Sequence, residues 1–188
     1  MWSNLMSHPR RGRQLLGLVL VLLGVGSLAL PSYGRMDERG VSILDVEFMR
    51  TSDKAAELIA RLGPSGVDAT QMAIYLDFAY LVLYAVVFSA ACAVLAARAA
   101  DRGLASLAAA GRAIAWLAPV AAALDAVENV ALLQVFGGSV DQPWPGIAFG
   151  FAMVKFLLLA VVILYLVVGL AITLRRRRVT PAEFSAGS

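Results

Sequence analysis

The sequence predicts an all-α integral membrane protein: a bundle of four transmembrane helices with an extracytoplasmic loop that carries a short amphipathic helix. Composition is the first reason, because 60% of the 188 residues are apolar before the 16 glycines are counted, and only 15% are charged. Soluble domains carry about 25% charged residues. A soluble domain of this size could not bury so much apolar surface, and a disordered chain would not contain it.

Four apolar stretches near the length of a bilayer-spanning helix are the second reason, since a bilayer core takes about 20 helical residues. They cover residues 14–31, 71–97, 113–136 and 147–174. Helices are predicted because lipid cannot satisfy an exposed backbone amide. The sequence also lacks the ten-residue alternating segments of a membrane barrel.

The first stretch has a second interpretation. Three arginines, a short apolar run and the small residues of Ser27-Leu28-Ala29 are typical of a secretory signal peptide with its cleavage site. Leu30 and Pro31 lie directly after that site and argue against cleavage. We therefore expect residues 14–31 to remain as an uncleaved span.

The placement of basic residues is the third reason and also predicts the orientation. Arginines lie in segments 1–13, 98–112 and 175–188, whereas segment 32–70 holds seven acidic and five basic residues and segment 137–146 holds one charge, Asp141. The positive-inside rule then places both termini and segment 98–112 in the cytoplasm, and the other two loops outside the plasma (inner) membrane. The arginine run that follows the last span fits a stop-transfer anchor better than a lipid-specific site.

The long loop, residues 32–70, has predicted structure of its own. Residues 51–53 can cap a helix, and apolar residues then recur at helical spacing up to Leu62. Gly63 and Pro64 form a stop signal, so an amphipathic helix over 53–62 is predicted. Before it, apolar and acidic residues alternate over 44–48, which predicts extended chain packed against the spans.

Ionisable residues within the spans are the candidates for function. Asp77, Asp125, Glu128 and Lys155 lie in predicted spans, joined by Asn129. Each such ion costs about 2.5–3.5 kcal/mol near the middle of a span, so these residues normally face the bundle interior and pair with one another. All lie about 9 to 16 Å from the outer ends of their spans at 1.5 Å per residue. We therefore expect them to meet at one level, with Lys155 paired to Glu128 or Asp77.

Helical spacing also predicts which side chains share a face. One stripe of the third span holds Asp125, Glu128 and Asn129, and one stripe of the second holds Asp77, Tyr80 and Tyr84. With Lys155, these residues form the predicted ligand-binding set. Three acids and one lysine would leave a net charge of −2, so the surplus acids must be protonated, hold a cation or reach water.

The sequence contains no motif that indicates a particular reaction, cofactor or metal site. There is no phosphate-binding glycine loop, no HExxH and no nucleophile elbow. The one cysteine, Cys92, excludes an internal disulfide and a cysteine-ligated cluster. Nothing in the charge pattern indicates nucleic acid, and the expected partners are membrane lipids and a small amphiphilic or cationic ligand.

Three functions from different classes follow. The first is binding or transport of a small amphiphile, a lipid head group or a cation in a carboxylate-rich pocket open to the outer leaflet. The second is an intramembrane enzyme that modifies a lipid or isoprenoid, with paired carboxyls as acid and base. The third is an accessory subunit whose polar network fixes how the spans assemble. The excess of acid favours the first.

Overall fold

The computed structural model describes Gly24, Leu28 and residues 30–175, and every regular element in residues 30–175 is a helix. The elements are α1 (Leu30–Asp37), α2 (Ile43–Glu47), α3 (Ser52–Ala100), α4 (Ala105–Ile114), α5 (Leu117–Phe136) and α6 (Trp144–Arg175). The predictions for segment 1–13, for most of span 14–31 and for residues 176–188 lie outside the described residues.

Three helical stretches are long and apolar enough to cross a membrane, and they make this a multi-pass membrane protein. They are Ser52–Ala100, Ala105–Phe136 and Trp144–Thr173, and each contains an 18-residue window whose mean hydropathy is 2.3, 1.6 and 2.9 respectively. The second consists of α4 and α5, which a turn at residues 115 and 116 separates. The described residues therefore hold three of the four predicted spans. The remaining one, residues 14–31, is the first in chain order and lies mostly outside the described residues.

The helix α3 contains one non-helical residue, Gly63, with φ of 62° and ψ of 178°. A positive φ suits glycine because it has no side chain to clash, and Pro64 follows where a missing amide hydrogen is tolerated. Residues 53–62, predicted as a separate loop helix, form the first part of α3 before this break. The Thr51 hydroxyl caps that part by accepting from the Lys54 amide, at 3.3 Å.

The prediction of extended chain over residues 44–48 is wrong, because α2 is a short helix. Its start is a capping box: the Asp45 amide donates to the Ser42 hydroxyl at 3.2 Å, and the Asp45 carboxylate accepts from the Ser42 amide at 2.9 Å. The hydrogen bonds that the carboxylate accepts from the Ser42 amide and hydroxyl hold the pKa of Asp45 below its usual value. Reciprocal capping starts a helix where alternation alone indicates a strand. The helix buries Val46 and turns Glu47 towards the bundle.

Residues 30–63, which we call the cap, cover one end of the long helices. The shared core contains Met36, Val41, Val46, Met49, Leu58 and Leu62 of the cap, and Ile74, Leu132, Val135, Phe136 and Ala148 of the long helices. Two exposed hydrogen bonds also join the cap to the rest of the protein. Arg39 donates to the Ser65 hydroxyl at 3.2 Å, and Gln142 donates to the Arg50 carbonyl at 3.2 Å. The cap is thus one packed unit with this end of the bundle, the cap end.

At the opposite end, which we call the arginine end, the helices meet through glycine. A Cβ on Gly111 would overlap the Tyr165 hydroxyl, and one on Gly169 would lie 2.8 Å from a methyl carbon of Leu95. Small residues let helices approach closely in a membrane. Arg102 ties the turn after α3 to α6 by donating to the Thr173 carbonyl at 2.6 Å.

Candidate functional site: a buried carboxylate–lysine cluster

The site is built around the ammonium group of Lys155, which lies on α6 and is 5% exposed. Its Nζ lies 2.7 Å from Oδ1 of Asp125, 2.7 Å from Oε2 of Glu128 and 3.4 Å from Oε2 of Glu47. Three carboxylates therefore converge on one cation. We call Glu47, Asp125, Glu128 and Lys155 the carboxylate–lysine cluster.

The helix α5 supplies two of the carboxylates from one face. Asp125 and Glu128 are one turn apart and are 4% and 0% exposed. Both oxygens of Asp125 have partners, because the Tyr84 hydroxyl donates to Oδ2 at 2.9 Å while Lys155 donates to Oδ1. Asp125 is thus fully satisfied by α3 and α6.

The carboxylate of Glu128 is satisfied only in part. Its Oε2 pairs with the Lys155 ammonium at 2.7 Å, whereas Oε1 has no hydrogen-bond partner among the described residues. Leaving a buried acceptor without a donor costs about 1–3 kcal/mol, and more for a charged group. Glu128 therefore has the capacity to accept a proton or a hydrogen bond from a bound molecule.

A second polar pair lies on the same helix faces. The Asn129 amide donates to Oδ2 of Asp77 at 2.8 Å. Of the two partners expected for Lys155, Glu128 is therefore the one that pairs with it, and Asp77 pairs with Asn129. Tyr80 contacts the site through its ring, which packs edge-on against the ring of Tyr84 with 6.0 Å between the centroids. Of the seven predicted residues, three thus lie in the cluster, Asp77 and Asn129 form a separate pair, Tyr84 donates to Asp125 of the cluster, and Tyr80 contacts the ring of Tyr84.

Glu47 is a site residue that the sequence analysis missed. It was placed in extended chain outside the spans, whereas the Ser42–Asp45 capping box turns it inward. Recognising that box in the sequence would have revealed the helix, although not its packing. Burial raises the pKa of Glu47, and the neighbouring Lys155 charge opposes this rise. Half-buried Tyr33 is a second omission: burial, and then the charge of Asp77, raise the pKa of its phenol.

The charges of this region do not balance. Glu47, Asp77, Asp125 and Glu128 surround a single lysine, which would leave −3 if all were ionised. A low-dielectric interior does not tolerate such an excess, so protons or cations must offset it. Among residues 30–175, no three His, Cys, Asp or Glu side chains are arranged to hold a metal ion.

An apolar surface groove of about 200 Å³ lies between α5 and α6, beside the cluster. Its lining consists of Leu124, Gly146, Ile147, Gly150, Phe151 and Val154. None of the seven predicted ligand-binding residues lines this groove, so the packed group of charges and the apolar groove are two separate features of the described residues.

Comparison of the chain with protein-family models, with curated proteins and with solved structures gives no match. The functional argument accordingly rests on the geometry and charge of the cluster. Neither the apolar helices nor the cluster by itself specifies a reaction.

Proposed function

We propose that this membrane protein binds the cationic group of a small amphiphile at the carboxylate–lysine cluster. The observation that carries the proposal is the convergence of three carboxylates on Lys155, with an unsatisfied oxygen on Glu128. Intramembrane ionisable residues usually mark sites of ligand or ion binding. An organic ammonium would find acceptors here that no described donor uses.

The choice of a cation over an anion follows from charge. The cluster with Asp77 already holds more carboxylates than cations, so an anionic group would be repelled and a cationic group attracted. In the ligand-free protein the same excess is offset by protons. Binding of an ammonium group would then displace a proton from the cluster.

Access from the outer leaflet is part of the proposal. It follows from the positive-inside rule, which puts the arginine end in the cytoplasm and the cap end outside. The carboxylates lie towards the cap end, where Glu47 of the cap joins them. A ligand would thus reach the cluster from the outer half of the bilayer.

A structural role is the second candidate, because Tyr84, Asp125 and Lys155 form a connected and well-satisfied chain of contacts. Buried ion pairs of this kind can fix how helices pack without any ligand. The two roles differ in one respect: a purely structural network leaves no preference between ligands of opposite charge.

The test uses two probes with the same alkyl chain and different charge, dodecylamine and dodecanoate. Binding to the full-length protein in a neutral detergent is measured by native mass spectrometry. The variants are Glu128→Gln and the control Glu57→Gln, which makes the same change at an exposed carboxylate paired with Lys54.

We expect the unmodified protein and Glu57→Gln to bind dodecylamine in preference to dodecanoate, and Glu128→Gln to lose most of that preference. Equal binding of the two probes by the unmodified protein would overturn the proposal. So would an unchanged preference in Glu128→Gln.

A further inference from the structure

The groove between α5 and α6 is lined by residues that are one helical turn from residues of the cluster. On α6, Phe151 is one turn from Lys155, and on α5, Leu124 is one turn from Glu128. Residues four apart are neighbours on a helix surface, about 5–6 Å between Cβ atoms. The groove therefore lies next to the charged residues on the two helices that carry them, although none of the charged residues lines it.

The lining of the groove is entirely apolar, and part of it is open to the surroundings of the bundle. Gly150 and Val154 are exposed, whereas Ile147 and Phe151 are half-buried. The lining extends from Gly146 to Val154 of α6, which are eight residue steps apart, or about 12 Å at 1.5 Å per residue. This length and a volume of about 200 Å³ suit part of one alkyl chain better than a compact polar molecule.

The lack of a side chain at one glycine leaves part of the groove unfilled. Gly150 lies on α6 within the lining, and a Cβ built there would meet no atom within 4 Å. A larger side chain at this position would consequently enter the groove without displacing the protein around it. Gly150 thus offers a way to fill the groove and leave the charges untouched.

We propose that the ligand is a long-chain amine whose alkyl chain lies in the α5–α6 groove while its ammonium group binds the cluster. This inference rests on the proposed function and adds the chemical class of the ligand. An apolar groove next to an excess of carboxylates complements a molecule with an apolar chain and a cationic end. A neutral or anionic lipid would leave the charge of the cluster unbalanced.

The experiment measures the affinity of hexylamine, octylamine and decylamine for the full-length protein in one detergent. Gly150→Leu is compared with Ala160→Leu, which adds the same side chain at an exposed position of α6 that does not line the groove. The detergent affects each amine equally for every variant, so ratios between variants isolate the groove.

Each methylene group transferred into an apolar site is worth about fourfold in affinity. We expect Ala160→Leu to bind each amine more tightly than Gly150→Leu, and the ratio of the two affinities to increase with chain length. The difference between the two variants should therefore be smallest for hexylamine. Glu128→Gln should weaken all three amines.

The two proposals fail differently. If Gly150→Leu and Ala160→Leu show the same dependence on chain length while Glu128→Gln weakens every amine, the groove is not the chain site and only this inference is overturned. If Glu128→Gln binds all three amines as the unmodified protein does, the proposed function is overturned as well.

Discussion

The two ends of the bundle pack the same long helices by opposite means. At the arginine end, α4 and α6 meet through Gly111 and Tyr165, and the Tyr165 hydroxyl donates to the Leu107 carbonyl at 3.3 Å. Towards the cap end, α5 and α6 meet around Lys155 and its carboxylates. The first contact is uncharged and its hydroxyl has an acceptor, whereas the second is charged and leaves Oε1 of Glu128 without a hydrogen-bond donor among the described residues.

This difference shows that the bundle does not need charge to hold its helices together. Close approach at glycine supplies contact between helices without the cost of burying ions. Replacing a buried ion pair by apolar residues is often neutral or stabilising, by about 1–4 kcal/mol. The charged cluster, in a bundle that also packs helices without buried charge, therefore supports the proposed binding role.

The largest expected effect comes from Lys155→Met. Removing the cation leaves Asp125, Glu128 and Glu47 without their shared partner, and breaking a buried pair in this way costs about 3–5 kcal/mol. Unfolding in detergent, followed by circular dichroism, should show this loss of stability. Stability within about 1 kcal/mol of the unmodified protein would mean that the ammonium group is not needed to hold the carboxylates.

The double variant Lys155→Met with Glu128→Leu sharpens the comparison. It removes one charge of each sign, so much of the lost stability should return. Dodecylamine binding should not return, because the unsatisfied carboxylate is gone. A variant that recovered both stability and the preference for dodecylamine over dodecanoate would contradict a binding role for Glu128.

At the arginine end, Gly111→Ala should reduce stability without affecting ligand binding. The added methyl would overlap the Tyr165 hydroxyl and lie 2.9 Å from the Ala96 Cβ, and overpacking of this kind costs about 1–3 kcal/mol. The matched change Gly150→Ala meets no atom and should not destabilise the protein. A loss of dodecylamine binding in folded Gly111→Ala would contradict the separation of the two ends.

Tyr84→Phe is expected to have an effect of similar size, at the cluster itself. It removes the hydroxyl that donates to Asp125, a hydrogen bond to a charged group worth about 1.5–3 kcal/mol. Stability should fall by no more than this amount, since the ring still packs against Phe88, with 6.2 Å between centroids. Tyr80→Phe is the control. Equal stability of the two variants would show that the Tyr84 hydroxyl is not important to the cluster.

The smallest expected effect is the contribution of Glu47 to the pH dependence of stability. Because burial raises its pKa in the folded protein, the folded state favours the protonated acid. Its contribution to stability is therefore present below the ordinary value of 4.5 and is lost as pH rises through the higher folded value. The charges that act on it are those of Lys155, Asp125 and Asp77.

Glu47→Gln should remove this part of the pH dependence, which thermal unfolding at a series of pH values would detect. Asp45→Asn, a change at the exposed end of the same short helix, is the comparison. The pKa of Asp45 is lowered, so its stabilisation is lost as pH falls and the two variants should differ in opposite directions. Parallel pH profiles for Glu47→Gln and the unmodified protein would contradict the account of Glu47.

The sequence predicts the spanning helices well because lipid imposes length and apolarity on them. Depth and helical spacing also bring Asp125, Glu128 and Lys155 to one level. They do not determine how each helix is rotated, and so Asp77 pairs with Asn129 and not with Lys155. Glu47 reaches the site through the fold of the cap, which depends on the distant contacts of Val46 and Met49 in the shared core.

The central claim is that the surplus carboxylates carry a proton until a cation replaces it. Infrared difference spectroscopy of the full-length protein, recorded before and after dodecylamine is added, measures it through the carbonyl stretch of a protonated carboxyl group. The account predicts that this band is present in the ligand-free protein, decreases when dodecylamine binds, and shows no such decrease in Glu128→Gln. A band that is absent from the ligand-free protein, or unchanged by bound dodecylamine, would contradict it.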